Sequence, residues 1–184
     1  MNMTADEIRA GAQVFQLAVV AVGLVLTINQ IRIFSAQYRD LHEWNRRKAA
    51  QDAVQAFLNL AESNKLINQA FDYMQKNDPY PIERVNEECE RTPELRVALT
   101  SLLNYFEMIA WGVRHSVYDE DLIRDSMASA MTLTCHRFGP YIAHKANHGQ
   151  PDAWSEARAC VAKWKREVEA RATQLVRNPT GNGA

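Results

Sequence analysis

The stretch "AGAQVFQLAVVAVGLVLTINQIRIF", residues 10–34, decides how the rest of the chain is interpreted. Ala10 to Ile28 is a run of 19 residues without a charge, and Gln13 and Gln16 are its strongly polar members. As a helix this run would be ~28 Å long, close to the ~30 Å thickness of the hydrocarbon layer of a bilayer. It also lacks the polar stripe that an amphipathic helix of a soluble protein shows every three or four residues. We therefore expect one transmembrane helix.

Two alternatives to the membrane span stay open, a buried helix of a soluble protein and a cleaved signal peptide. A signal peptide has its basic residues before a shorter apolar run. Here five basic residues follow the run instead: Arg32, Arg39, Arg46, Arg47 and Lys48. The membrane span is the interpretation that fits this order best.

The same basic residues predict the orientation of the chain. Positive residues collect on the cytoplasmic side of a span, so the N-terminus is expected outside and the C-terminal body inside the inner (cytoplasmic) membrane. The odd set of widely spaced cysteines, Cys89, Cys135 and Cys160, suits free thiols in a reducing compartment. Arg46, Arg47 and Lys48 are expected to face anionic membrane lipid.

The rest of the chain predicts an all-α fold: one N-terminal transmembrane helix followed by a cytoplasmic bundle of about four to five helices. Seven glycines, six prolines and no alternating β-branched runs favour helices over strands. Residues 35–184 hold 19 basic and 20 acidic residues, so no nucleic-acid partner is expected. The expected segments are a short extramembrane segment 1–9, the transmembrane helix and exit 10–34, a cytoplasmic helical domain 35–176 and a disordered tail 177–184.

Local signals predict where several of these helices begin and end. Thr92 followed by Pro93 and Glu94 indicates a helix over about 93–117, and Asp119 is expected to cap the next helix. Gly139-Pro140 should kink that helix, and Pro151-Asp152 should open a last helix that runs to about Val176. The apolar positions of the 93–117 helix and its neighbour predict a core made of Leu99, Leu102, Leu103, Phe106, Ile109, Ala110, Val113, Leu122 and Met131.

Residues 102–126, "LLNYFEMIAWGVRHSVYDEDLIRDS", resemble a bacterial family catalogued as domain of unknown function 4760. The features shared are Leu-Leu-Asn-Tyr-Phe-Glu on one helix and Tyr-Asp-Glu-Asp-Leu at the start of the next. The N-terminal hydrophobic segment, Trp44 to Lys48 and Trp154 are similar too. The resemblance implies a membrane-anchored helical protein and supplies no catalytic residues.

The polar residues that could carry chemistry have structural explanations that we prefer. Glu107, three residues after Asn104, could be an acid or base with a raised pKa, but we prefer a pairing with Arg114 or Arg124 that fixes how two helices pack. Adjacent Asp119, Glu120 and Asp121 point in different directions, so a helix cap is favoured over a cation site. We predict no catalytic, cofactor-binding or metal-binding residue, and a structural role for Asn104, Glu107, Arg114, Asp119 and Arg124.

The histidines and Cys135 also lack a spacing that indicates a reactive site. His144 and His148 are one turn apart, yet zinc needs further ligands that the surrounding sequence does not supply in a known spacing. Cys135 and His136 are consecutive on a helix and diverge by ~100°, so they cannot form a nucleophile and base. The basic residues of the last helix alternate with glutamates, as on a solvated face.

The membrane helix and its exit carry the residues expected to contact a partner. Small residues permit close approach of helices and glutamines can hydrogen-bond between them, and an apolar stripe continues past the span. The predicted interface is Gln13, Gln16, Ala18, Ala21, Gly23, Ile31, Phe34, Tyr38 and Leu41.

Three functions are consistent with this pattern. The preferred one is a non-enzymatic single-span protein acting through association, with itself or with another membrane protein of a complex. The alternatives are a membrane effector of a defence or toxin-like system that oligomerises to perturb the bilayer, and an enzyme using Glu107 and nearby acids.

Overall fold

The computed structural model describes residues 5–72 and 78–177, without the side chains of residues 5–21, 171 and 175–177. Across the described residues the fold is all-α, with seven helices and no strand, which confirms the all-α part of the prediction. The helices are α1 (Ala5–Leu58), α2 (Ala61–Phe71), α3 (Ile82–Arg91), α4 (Pro93–Arg114), α5 (Glu120–Arg137), α6 (Gly139–Asn147) and α7 (Ser155–Arg177).

The chain divides into two units, Met1–Asn45 and Arg46–Ala184. Among the side chains that the structure describes, no helix contains a stretch long and apolar enough to cross a membrane. The predicted contact residues Gln13, Gln16, Ala18 and Ala21 lie outside that description, as do most of the predicted tail 177–184 and residues 1–4 of the predicted segment 1–9. The structure thus supports the helical character of the first unit.

The second unit contains more helices than the sequence predicted. The end of α1 is followed in the described part of this unit by α2 to α7, where four or five helices were expected. The 10-residue helix α3 lies in the acidic segment after Pro81, for which no helix was predicted. Its Val85 and Cys89, one turn apart, are both buried, so packing of a short apolar stripe stabilises a helix that is otherwise strongly polar.

Proline and glycine account for the other differences. Gly139 and Pro140 do more than kink a helix: α5 ends at Arg137 and α6 starts at Gly139, with Pro140 in its first turn, where its missing N–H costs no hydrogen bond. Pro151 and Asp152 lie in a turn, and α7 starts later than predicted, at Ser155. Pro93 is the first residue of α4, as predicted, and Thr92 precedes it at the N-cap position.

Helix α4 is the centre of the second unit and packs against α2, α3, α5 and α7. The predicted core residues of α4 are all buried, with exposures from 0% for Leu99 to 9% for Val113. Met131 of α5 is also buried, and Leu122 packs against the core half-buried. The 3.6-residue periodicity of the sequence therefore located the buried face of α4 correctly.

Near the end of α4, Gly112 packs against the ring of Tyr118. A Cβ added at Gly112 would lie 2.2 Å from the Tyr118 ring, so no other residue fits there without moving that ring. The backbone N–H of Val117 donates to the Gly112 carbonyl at 2.8 Å and closes the turn. This close approach leads the chain from α4 to the cap of α5.

Candidate functional site

The joint between α4 and α7 is formed by Asn104 and Glu107. The two Glu107 carboxylate oxygens accept the backbone N–H groups of Glu156 at 3.1 Å and Ala157 at 2.8 Å. These N–H groups belong to the first turn of α7, where they have no partner within the helix and where the helix dipole favours negative charge. One turn earlier on α4, the Asn104 Oδ1 accepts the indole N–H of Trp154 at 2.8 Å.

Trp154 adopts the left-handed backbone conformation, with a φ of 52°, at the residue before α7. Its side chain is 7% exposed, and its ring stacks on Tyr141 with centroids 6.0 Å apart. The bonded indole and its packing therefore hold the start of α7 at the position that Glu107 caps.

The partners of Glu107 differ from the arginines expected from the sequence. Arg114 instead forms an ion pair with Glu156, and Arg124 pairs with Asp121 and, at 3.3 Å, with Glu167 of α7. Both arginines thus connect α7 with helices that precede it in the chain. The carboxylate of Glu107 acts as a helix cap supplied by another helix.

The acidic cluster at the start of α5 separates into three roles. The Asp119 Oδ1 accepts the N–H of Leu122 at 3.0 Å as the N-cap of α5. Glu120 faces α7 and accepts hydrogen bonds from Lys163 and from the Trp164 indole, whereas Asp121 pairs with Arg124. Burial alone would raise the pKa of Glu120, but the hydrogen bonds from Lys163 and Trp164 outweigh it and lower that pKa below its usual range.

The basic residues after Asn45 are partly engaged by the loop between α4 and α5. The half-buried Arg46 donates to the Tyr118 carbonyl at 3.3 Å, and Arg47 lies 3.5 Å from the Asp119 carboxylate. Lys48 forms an exposed pair with Asp52 one turn along α1. Arg47 and Lys48 nevertheless keep 61% and 54% of their side-chain surface exposed.

The thiols and histidines show no reactive arrangement among the described residues. Cys89, Cys135 and Cys160 are free, and burial raises the pKa of Cys135 to about 11 and that of Cys160 to about 12. The His144 and His148 rings stack with centroids 4.0 Å apart. Within residues 5–72 and 78–177, no group of three histidine, cysteine, aspartate or glutamate residues is placed to hold a metal ion.

A cavity of about 520 Å³ lies within the second unit, between the end of α1, α2, α4 and α5. Its lining is mostly apolar, with Phe57, Leu102 and Phe106 among its residues, and Lys65 is its charged member. The complete lining is Phe57, Ala61, Asn64, Lys65, Asn68, Leu102, Phe106, Ala130 and Thr134. No acid–base pair of the lining is arranged for catalysis.

Most of the large apolar side chains that are exposed in the described part of the chain lie in the first unit. Ile31, Phe34, Tyr38 and Leu41, which we call the exit seam, are 59%, 69%, 74% and 57% exposed. Their spacing of three and four residues places them on one face of α1. Exposed large apolar side chains also precede and follow the exit seam, among them Leu24, Leu26 and Trp44.

Comparison with known proteins identifies the family of this chain. No curated protein and no solved structure matches it. The sequence model of a family described as Domain of unknown function (DUF4760) matches residues 17–164, which is most of the chain and includes the exit seam, Asn104 and Glu107. The chain therefore belongs to the DUF4760 family of domains of unknown function.

Proposed function

We propose that this protein is a non-enzymatic, single-span membrane protein that acts by associating with itself or with another membrane protein. The single observation that carries the proposal is the exposed apolar surface of the first unit, centred on the exit seam. Soluble monomers rarely expose contiguous apolar patches of this kind unless the patch binds something. The function proposed is thus one of anchoring and association.

The proposed span comprises the uncharged run from Ala10 to Ile28. The N-terminus would lie outside and the second unit in the cytoplasm, because the basic residues follow the run. Lys48 and Arg47, both largely exposed, are suited to contact anionic lipid headgroups near the membrane.

The engagement of Glu107 supports a non-enzymatic role over the enzyme alternative. Both of its carboxylate oxygens already accept backbone hydrogen bonds at the start of α7. A general acid or base must instead reach a substrate proton at hydrogen-bond distance. A structural role explains the position of this carboxylate without a substrate.

Topology is tested with cysteines introduced one at a time, as Thr4→Cys and Ala184→Cys, and labelled with a membrane-impermeant maleimide. Intact cells should label Thr4→Cys, and Ala184→Cys should react only after lysis. The wild-type chain, whose own thiols are buried or half-buried, is the control for background labelling. Labelling of Ala184→Cys from outside, or release of the protein from membranes by alkaline carbonate, would contradict the proposal.

A further inference from the structure

The exposed face of α1 in the first unit follows a seven-residue repeat. Alternating steps of three and four residues connect Leu24, Thr27, Ile31, Phe34, Tyr38, Leu41 and Asn45, all of them exposed. In the sequence the same spacing continues backward through Val20, Leu17 and Gln13. A 3.5-residue period sustained over about three heptads is the pattern of a coiled-coil seam, in which these residues occupy the a and d positions.

Charges are segregated away from this seam. The charged residues of α1 between Val22 and Asn45 are Arg32, Arg39, Asp40 and Glu43, at positions b, b, c and f of the repeat. The positions that flank a coiled-coil seam, e and g, hold Gly23, Ile28, Gln30, Ser35, Gln37, His42 and Trp44. Because none of these carries a formal charge when histidine is neutral, two identical copies can meet here without repulsion between like charges.

Asn45 indicates which partner the seam takes. It occupies an a position and is exposed. A carboxamide both donates and accepts hydrogen bonds, so an asparagine opposite its own copy satisfies both groups. A single asparagine at an a position specifies register and favours two strands. An identical helix in the same register is the partner that supplies the matching amide.

We propose that residues 24–45 of α1 pair with the same residues of a second copy of this chain as a parallel, in-register, two-stranded coiled coil. The proposal rests on the proposed function, because insertion of both copies with the same topology makes their helices parallel. The pairing would bury Leu24, Ile31, Phe34, Tyr38 and Leu41, which are 57–74% exposed on the single chain. It also names the partner of the proposed association as the chain itself.

Disulfide crosslinking of the full-length chain in native membranes tests the register. In a parallel dimer, identical a positions face each other, so Tyr38→Cys should give a disulfide-linked dimer under mild oxidation. Arg39→Cys, one residue along on the outer face and also exposed, is the matched control and should stay monomeric. Equal crosslinking of both variants, crosslinking of neither, or an adduct of Tyr38→Cys with a different protein would each overturn the coiled coil.

Replacement of the a-position asparagine provides a second, independent measurement. Asn45→Asp places two carboxylates opposite each other and should raise the dimer dissociation constant by roughly tenfold or more, measured by sedimentation in detergent. Ala36→Asp adds the same charge at an f position and should leave it unchanged. An unchanged dissociation constant in Asn45→Asp would overturn the assigned register.

The same variants distinguish the failure of this proposal from failure of the membrane proposal. Each is also tested for retention in carbonate-washed membranes and for the labelling pattern of the termini. If the protein is retained in the membrane with the expected orientation, but Tyr38→Cys forms no more dimer than Arg39→Cys, only the coiled coil is contradicted. If the wild-type chain is not retained in membranes, the proposed function is contradicted, and the coiled-coil proposal that rests on it fails with it.

Discussion

Glu107 shows how one residue in an apolar helix can be structural when its partners are not neighbours in sequence. It stands on α4 among buried leucines and aromatic residues, yet its oxygens meet two backbone N–H groups of α7. A carboxylate that accepts such bonds makes a stronger, charge-assisted interaction than a neutral acceptor. Glu107 therefore stabilises the first turn of α7.

We predict that Glu107→Ala destabilises the protein by ~1–3 kcal/mol, because it leaves two N–H groups of α7 without their acceptors. Glu107→Gln retains one acceptor oxygen and should cost less. Urea unfolding of the purified protein, followed by circular dichroism, measures both changes. The control is Glu90→Ala, an exposed carboxylate on α3 whose removal should change stability by less than ~0.5 kcal/mol. If Glu107→Ala and Glu90→Ala are equally stable, Glu107 does not stabilise the joint between α4 and α7.

At the scale of the element, α4 is the helix on which the second unit is built. Four other helices pack on it, and its buried stripe recurs every three or four residues. Phe106, 1% exposed, lies in that stripe, with its ring centroid 5.6 Å from that of Phe57 near the end of α1. The side chain therefore connects α4 to the part of α1 that belongs to the second unit.

Truncation of this side chain should be costly. Phe106→Ala is expected to lower the free energy of unfolding by ~3–5 kcal/mol, through lost burial and an enlarged cavity. The matched variant is Met108→Ala on the same helix, where the side chain is 47% exposed and the change should stay below ~0.5 kcal/mol. Urea denaturation of both variants and of the wild-type chain measures the two free energies of unfolding. If the two variants lose the same free energy of unfolding, Phe106 does not lie on the buried face of α4.

At the scale of the whole molecule, the two units differ in how their apolar side chains are exposed. The first unit carries exposed apolar side chains along α1, and the second buries an apolar core around α4. An association protein and an effector that opens the bilayer would differ in their effect on the membrane potential.

Induced expression with a membrane-potential dye tests that distinction. An association protein should leave the potential and the growth rate unchanged at levels where the protein is detected in membranes. Phe34→Asp, which places a charge in the exit seam, serves as the matched variant. Depolarisation by the wild-type chain that Phe34→Asp abolishes would favour the effector alternative instead.

The sequence by itself determined the features that depend on signals within one or two helical turns. Pro93 and Asp119 marked the starts of α4 and α5, and apolar periodicity identified the buried face of α4. Short-range sterics and hydrogen bonds specify such features, so they can be read from neighbouring residues. The family resemblance likewise depended on local motifs and is confirmed by the match over residues 17–164.

Only the tertiary structure decided which distant groups meet. Glu107 and Ala157 are 50 residues apart, and nothing local in the sequence distinguishes that backbone acceptor role from a pair with Arg114. Helix α3 was missed because its polar sequence forms a helix through two buried side chains, Val85 and Cys89, whose environment other helices supply. Contacts of this kind are selected by packing of the whole second unit, where burial of a shared core outweighs local preference.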